Sequence, residues 1–186
     1  MEIYKSLLRA SLAAVLLSLL SAGCQRSNES VQAARDKTLT EAEKQFINDA
    51  VRDGIKERSM GRVVVAKTTN AAVKDYAEMV VNDHSKALND LVDLMKEAGM
   101  NQPGGLPEVK HEAQDRLSKL SGPAFDREYI NLMVQDHQKA ISKYQREETT
   151  AQNESLRNYV KQMLPVLQKH LEKAQELQAK LNSQKT

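Results

Sequence analysis

The chain has 186 residues, with 27 Lys and Arg against 25 Asp and Glu, no Trp and few aromatic residues of any kind. Near-neutral charge, no basic run and little to stack on bases argue against nucleic acid as a partner. The length suits one domain with a true core, and 7 Gly and 4 Pro among abundant Ala, Leu, Lys, Glu and Gln favour helices over strands.

Lys5 and Arg9 precede the apolar run Leu12–Leu20, which is too short for a standard membrane span but of signal-peptide length. The run leads into L-S-A-G-C, which ends in the only cysteine, Cys24. Small residues before a lone Cys resemble a bacterial lipobox, although Ser21 stands where Leu is commonest and Leu20 lies one place earlier. An unpaired thiol is otherwise an odd choice for an oxidising compartment. Residues 1–23 are therefore read as a lipoprotein-type signal peptide, and Cys24 as the lipidated N-terminus of the mature chain. The lipid makes a membrane the expected partner. Gln25, rather than Asp, after the Cys points to the periplasm-facing side of the outer membrane of a Gram-negative bacterium. The rest of 24–38 is polar without a sustained apolar face and reads as a flexible tether.

The folded domain is expected over residues 39–183. Thr40 with Glu43 makes a capping box, so a first helix begins near Glu41. Its stripe, Phe46, Ala50, Gly54, Glu57, Gly61 and Val64, is narrow and contains a carboxylate. Asn70 is a good N-cap for a second helix carrying Val73, Ala77, Val81, His84, Leu88, Leu91 and Met95, with Gly99 placed to end it. Asn101–Pro107 is a loop, and Pro107 can open a shorter helix through about Leu120, with Val109, Leu117 and Leu120 as its apolar residues. Ser121-Gly122-Pro123 starts a third long helix, with Phe125, Ile130, Val134, His137, Ile141 and Tyr144 on one face. Asn153 caps a fourth, carrying Leu156, Met163, Leu167, His170, Ala174, Leu177 and Leu181. Pro165 is expected to interrupt and kink that helix.

Tyr76–Ala87 (Y-A-E-M-V-V-N-D-H-S-K-A) returns as Tyr129–Ala140 (Y-I-N-L-M-V-Q-D-H-Q-K-A), with Tyr, Val, Asp, His, Lys and Ala at the same offsets. Such a repeat predicts two helical hairpins packed as a pseudo-symmetric pair. The fold class is all-α: four long helices in a bundle, with an extra short helix in the crossover between the hairpins. Asp83-His84 in the second helix, Phe125, Asp126, Tyr129, Asp136 and His137 in the third, and Leu164, Pro165, His170 and Leu171 in the fourth resemble the domain of unknown function 4142 family. The resemblance covers about Phe46 to Leu177. It implies a ferritin-like bundle in a secreted bacterial protein, often a lipoprotein, and no established reaction.

His84, His137 and His170 each have an apolar residue three before and an apolar or small residue four after, so all three imidazoles should face the bundle interior. With Glu57 on the first helix, each long helix would contribute one polar group to the core. Three imidazoles and a carboxylate are a sound ligand set for a divalent transition metal such as zinc, copper, nickel or iron. A ferritin-type di-iron site would need Glu three residues before His, where Val81, Val134 and Leu167 stand. The other reading is a purely protein network in which these groups satisfy one another. Asp83 and Asp136 read as surface ion pairs with Lys86 and Lys139, or alternatively as carboxylates that orient an imidazole. Met79, Met95, Met100, Met133 and Met163 are too dispersed for a copper site and read as core filling. His111 reads as solvated, and nothing in the sequence marks a catalytic residue.

Two functions from different classes follow. One is a non-enzymatic envelope lipoprotein acting in binding, scaffolding or stress protection, with its protein partner unspecified. The other is a metal-binding or metal-oxidising bundle that uses core histidines. Side chains more than about 8 Å apart would exclude a single ion, given ligand bonds near 2 Å. A third idea, a carrier for an apolar ligand, needs a large pocket between the helices.

Overall fold

The computed structural model describes residues 38–100 and 112–183. The expected signal segment, Cys24, the tether, Pro107, Val109 and His111 lie outside them. From Leu39 onward the described residues form one compact unit.

Helix α1 spans Glu41–Lys67 and opens on the expected box: Glu43 N donates to Thr40 Oγ1 at 3.2 Å, and Thr40 N donates to Glu43 Oε2 at 2.7 Å. Helix α2, Ala71–Glu97, begins where Asn70 Oδ1 accepts from the amides of Ala72 and Val73. It ends at Gly99, whose φ of 65° turns the chain so that Met100 N reaches Met95 O at 2.9 Å and Gly99 N reaches Lys96 O at 3.1 Å. Glycine suits that left-handed position because it carries no Cβ. The short crossover helix α3 covers Glu112–Ser118 and stops two residues before Leu120; Leu117 is buried.

Helix α4, Gly122–Thr150, has Pro123 in its first turn, and α5, Glu154–Ser183, starts where Asn153 Oδ1 accepts from Leu156 N at 2.9 Å. Pro165 does not interrupt α5, which stays helical through it. Both Pro165 and Lys161, whose carbonyl loses its partner to the proline ring, are exposed, so water can serve that carbonyl. No described helix is long and apolar enough to cross a membrane.

In the bundle α1 packs on α2, α4 on α5, α2 on α5, and α1 on α4. Helices α2 and α4 therefore face each other across the diagonal. Their rings meet twice, Tyr76 with Tyr129 at 6.1 Å and His84 with His137 at 6.0 Å between centroids. Equal offsets at equal separations mean that α2 and α4 run parallel. The two expected hairpins are present, α1 with α2 and α4 with α5. The repeated stretch occupies the second helix of one hairpin and the first helix of the other. It records matched positions on two diagonal helices.

The ends are tied by polar bonds between adjacent helices. Glu43 Oε1 accepts from Gln152 N at 2.7 Å and from Asn153 N at 2.8 Å, joining the start of α1 to the α4–α5 turn. At the other end Thr68 Oγ1 donates to Asp126 Oδ1 at 2.7 Å.

Between these ends the apolar core comes in two halves. One holds Phe46, Ile47, Leu91, Tyr144 and Leu156, and the other Met60, Tyr76, Phe125, Tyr129 and Leu181. On every long helix the change of half falls at one polar residue: Glu57, His84, His137 or His170. The methionines are spread over both halves, Met95 and Met163 in the first and Met133 in the second, as core filling requires.

Candidate metal centre

Helical periodicity turns Glu57, His84, His137 and His170 inward at one height. Their exposures are 3%, 6%, 0% and 0%, so all four side chains of the layer are buried. One ring nitrogen from each of His84, His137 and His170 lies within 4.8 Å of the other two. Glu57 Oε2 sits 2.8 Å from His84 Nε2 and 3.7 Å from His137 Nε2, and His137 Nε2 is 3.2 Å from His170 Nδ1. In a tetrahedral site with bonds near 2.0–2.1 Å, neighbouring ligand atoms stand roughly 3.3 Å apart. The observed separations bracket that value.

The hydrogen-bond partners constrain the protons. His137 Nδ1 faces Met133 O at 2.9 Å, and a carbonyl only accepts, so Nδ1 carries the hydrogen. His170 Nε2 faces Asp83 Oδ2 at 2.9 Å and likewise donates to the carboxylate. Two neutral rings then have no hydrogen left for the contact between His137 Nε2 and His170 Nδ1, and two lone pairs would face each other. A third proton, making one ring an imidazolium, or a metal cation resolves that repulsion. On the other side of the layer, His84 Nε2 and Glu57 Oε2 are close but not aligned as a hydrogen bond, and each is buried without an aligned partner. Close, misaligned donor atoms are the pattern expected around a common point outside the line joining them.

Burial by itself would raise the Glu57 carboxyl, but the His137 and His84 imidazoles outweigh it and hold it down at about 2. Burial would lower His84, and the adjacent Glu57 charge instead raises it above its ordinary value. His170 is lowered to about 4, chiefly by burial and further by the other two imidazoles, with the Asp83 bond opposing. Burial also pushes up the phenols of Tyr76 and Tyr129, whose hydroxyls lie in the core without hydrogen-bond partners.

The flanking aspartates depart from the ion-pair expectation. Asp83 does not pair with Lys86, which goes to Asp90 at 3.2 Å. Asp83 orients an imidazole, and the imidazole belongs to α5 rather than to its own helix. Asp136 neither pairs with Lys139 nor orients a histidine; it takes Lys56 at 2.7 Å. Both outcomes have one cause: a residue about 100° around from an inward position lies at the seam with the next helix, where a cross-helix partner displaces the local lysine. Lys56 itself escaped notice in the sequence, although its place beside Glu57 puts it on such a seam. The cavity residues Asp53, Tyr144 and Tyr159, taken up below, also carry no motif of their own.

No curated protein matches the chain. A solved structure that it resembles is the crystal structure of a DUF305 fragment from Deinococcus radiodurans, with a TM-score of 0.67 at 14% identity over 77% of this chain and 99% of that one. At that identity the likeness shows the fold, an all-α ferritin-like bundle. The family described as Domain of unknown function (DUF4142) matches residues 28–177, and with most of its length inside that match the chain belongs to this family.

Proposed function

We propose that this protein is a metal-binding bundle of the bacterial envelope, in which His84, His137, His170 and Glu57 hold one transition-metal ion. The observation that carries the reading is the facing pair His137 Nε2 and His170 Nδ1, 3.2 Å apart with both outer nitrogens already committed as donors. A divalent cation between them removes the lone-pair repulsion and also takes up the misaligned His84 and Glu57 atoms. Three imidazoles and a carboxylate at these separations suit zinc or copper. The apolar residues at Val81, Val134 and Leu167 leave no carboxylates for a second ion of the ferritin type. Asp83 positions His170 through its other nitrogen, the usual role of a carboxylate behind a metal-bound imidazole.

The address rests on the sequence. L-S-A-G-C with a lone cysteine supports lipidation at Cys24, residues 25–38 provide the tether, and Gln25 supports the outer membrane. Expressed with its own signal, the protein should partition with membranes and Cys24→Ser should not; an unmodified N-terminus beyond Cys24 would overturn the anchor. For the metal, elemental analysis after equilibration with zinc or copper and desalting should return one ion per chain in the wild type. His137→Leu and His84→Leu should return none. Equal metal content in all three proteins, or none in any, would overturn the assignment and leave a protein-only network in a structural or binding bundle.

A further inference from the structure

Beside the layer, between the helices, lies a cavity of about 20 Å³. It is lined by exposed Asp53, by Gly54, by buried Glu57 and His84, and by buried Tyr144 and Tyr159. The rest of its wall is aliphatic or Met. A water needs roughly 10–15 Å³ of such space. The cavity thus takes one molecule of that size, and the apolar-carrier idea fails for it on volume. Gly54 keeps it open: a Cβ there would stand 3.3 Å from Leu88 Cδ2 and 3.7 Å from His84 Nδ1.

Structural metal sites are closed by four protein ligands; with His84, His137, His170 and Glu57 all bound, an exchangeable small molecule joins as a fifth ligand, which five-coordinate zinc and tetragonal copper(II) both allow. Two of the four donor residues, Glu57 and His84, line the same cavity as exposed Asp53. The polar groups along that wall are Asp53 at its outer end and the hydroxyls of Tyr144 and Tyr159, which are 3.4 Å apart. At the outer end Lys143 pairs with Asp53 at 3.7 Å, so the approach carries both signs of charge.

We propose, building on the metal reading above, that the cavity is an open coordination position, and that the bound metal takes there one exchangeable, water-sized ligand: water, hydroxide or a small anion. With that fifth position the metal can exchange a ligand as well as hold the four helices together. Its ligands are limited by volume to species of at most about three heavy atoms.

Azide is the probe. The full mature chain, loaded with copper(II) and desalted, is titrated with sodium azide while the azide-to-copper charge-transfer absorption and the copper electron paramagnetic resonance spectrum are followed. One azide per copper should bind saturably in the wild type. Gly54→Ala, which places a methyl group in the cavity, should retain its copper and bind azide about tenfold more weakly or worse. If Gly54→Ala does not fold, Ala140→Val narrows the same cavity from its half-buried outer wall. Copper bound with no azide response overturns the open position and leaves the metal reading standing. Equal azide affinity in wild type and variant also overturns it, because the ligand then enters elsewhere. No copper bound at all overturns both.

Discussion

Asp83 on α2 is bonded at 2.9 Å to His170 on α5, not to its sequence neighbour His84. The carboxylate is 39% exposed while the imidazole it holds is fully buried, so the pair carries a hydrogen-bonded path from the surface to the layer. Asp83→Ala should weaken zinc or copper binding by about 10–100-fold without abolishing it. Competition against a chromophoric chelator measures this, with Asp83→Glu expected to restore part of the loss. Unchanged affinity in Asp83→Ala would show that His170 needs no support from α2.

The metal-free protein should be most stable near neutral pH. His170 is held near 4 in the fold against an ordinary 6.5. Its contribution is present above the unfolded value and is lost as pH falls from 6.5 toward 4. Glu57, held near 2 against 4.5, adds a second loss at lower pH. His84 works in the opposite sense: its value is raised, so its contribution is present below 6.5 and fades as pH rises through the folded value. Thermal midpoints between pH 8 and about 2 follow these changes. Added zinc should move the acid-side loss to lower pH, since the ion competes with protons for the ring nitrogens. Superimposable curves with and without zinc would count against binding.

Glu43 acts at the end of the bundle, away from the metal layer. One oxygen accepts from Gln152 N and Asn153 N, and the other from Thr40 N. These bonds hold its carboxyl below the ordinary value although burial opposes them. Glu43→Gln keeps one acceptor oxygen and loses the other, so it should cost about 1–3 kcal/mol in denaturant unfolding. Metal stoichiometry should not change.

At Gly61 α1 lies against α2 with no room for a side chain. A Cβ there would come within 2.7 Å of Val81 Cγ2 and 3.3 Å of the Ala77 carbonyl. Gly61→Ala gains helix propensity but forces the two helices apart, and overpacking of this kind costs about 1–3 kcal/mol. Pairing it with Val81→Ala should recover much of the loss, which a double-mutant cycle reads directly. Additive effects would mean the clash is relieved elsewhere.

Much of this was legible in the sequence because it is periodic or local. The caps at Thr40, Asn70 and Asn153 and the stop at Gly99 need only neighbouring residues, and the inward facing of His84, His137 and His170 needs only the 3.6-residue turn. Glu57 could be read the same way, since it interrupts an otherwise apolar or small stripe. What was not legible depends on which helices are adjacent. The partner of Asp83 lies on α5 and that of Asp136 on α1, and no spacing within α2 or α4 indicates that. The repeat pointed to the two hairpins, but its equal offsets report parallel diagonal helices only once the helix order around the bundle is known. The small cavity depends on several side chains from four helices and has no signature along the chain.

The division of the core by its polar layer also bears on how the helices align. Apolar side chains tolerate neighbours of many shapes, so two helices joined only by leucines and valines can slide by one turn, about 5.4 Å, and still bury their faces. The bond from His170 to Asp83 cannot slide with them. A one-turn shift of α5 would carry the buried His170 imidazole away from Asp83 and leave it without that partner, at a cost of about 1–3 kcal/mol. The layer therefore acts as a pin that selects one alignment among several with similar apolar burial. Replacing it wholesale with leucine would leave a helical protein free to occupy more than one register.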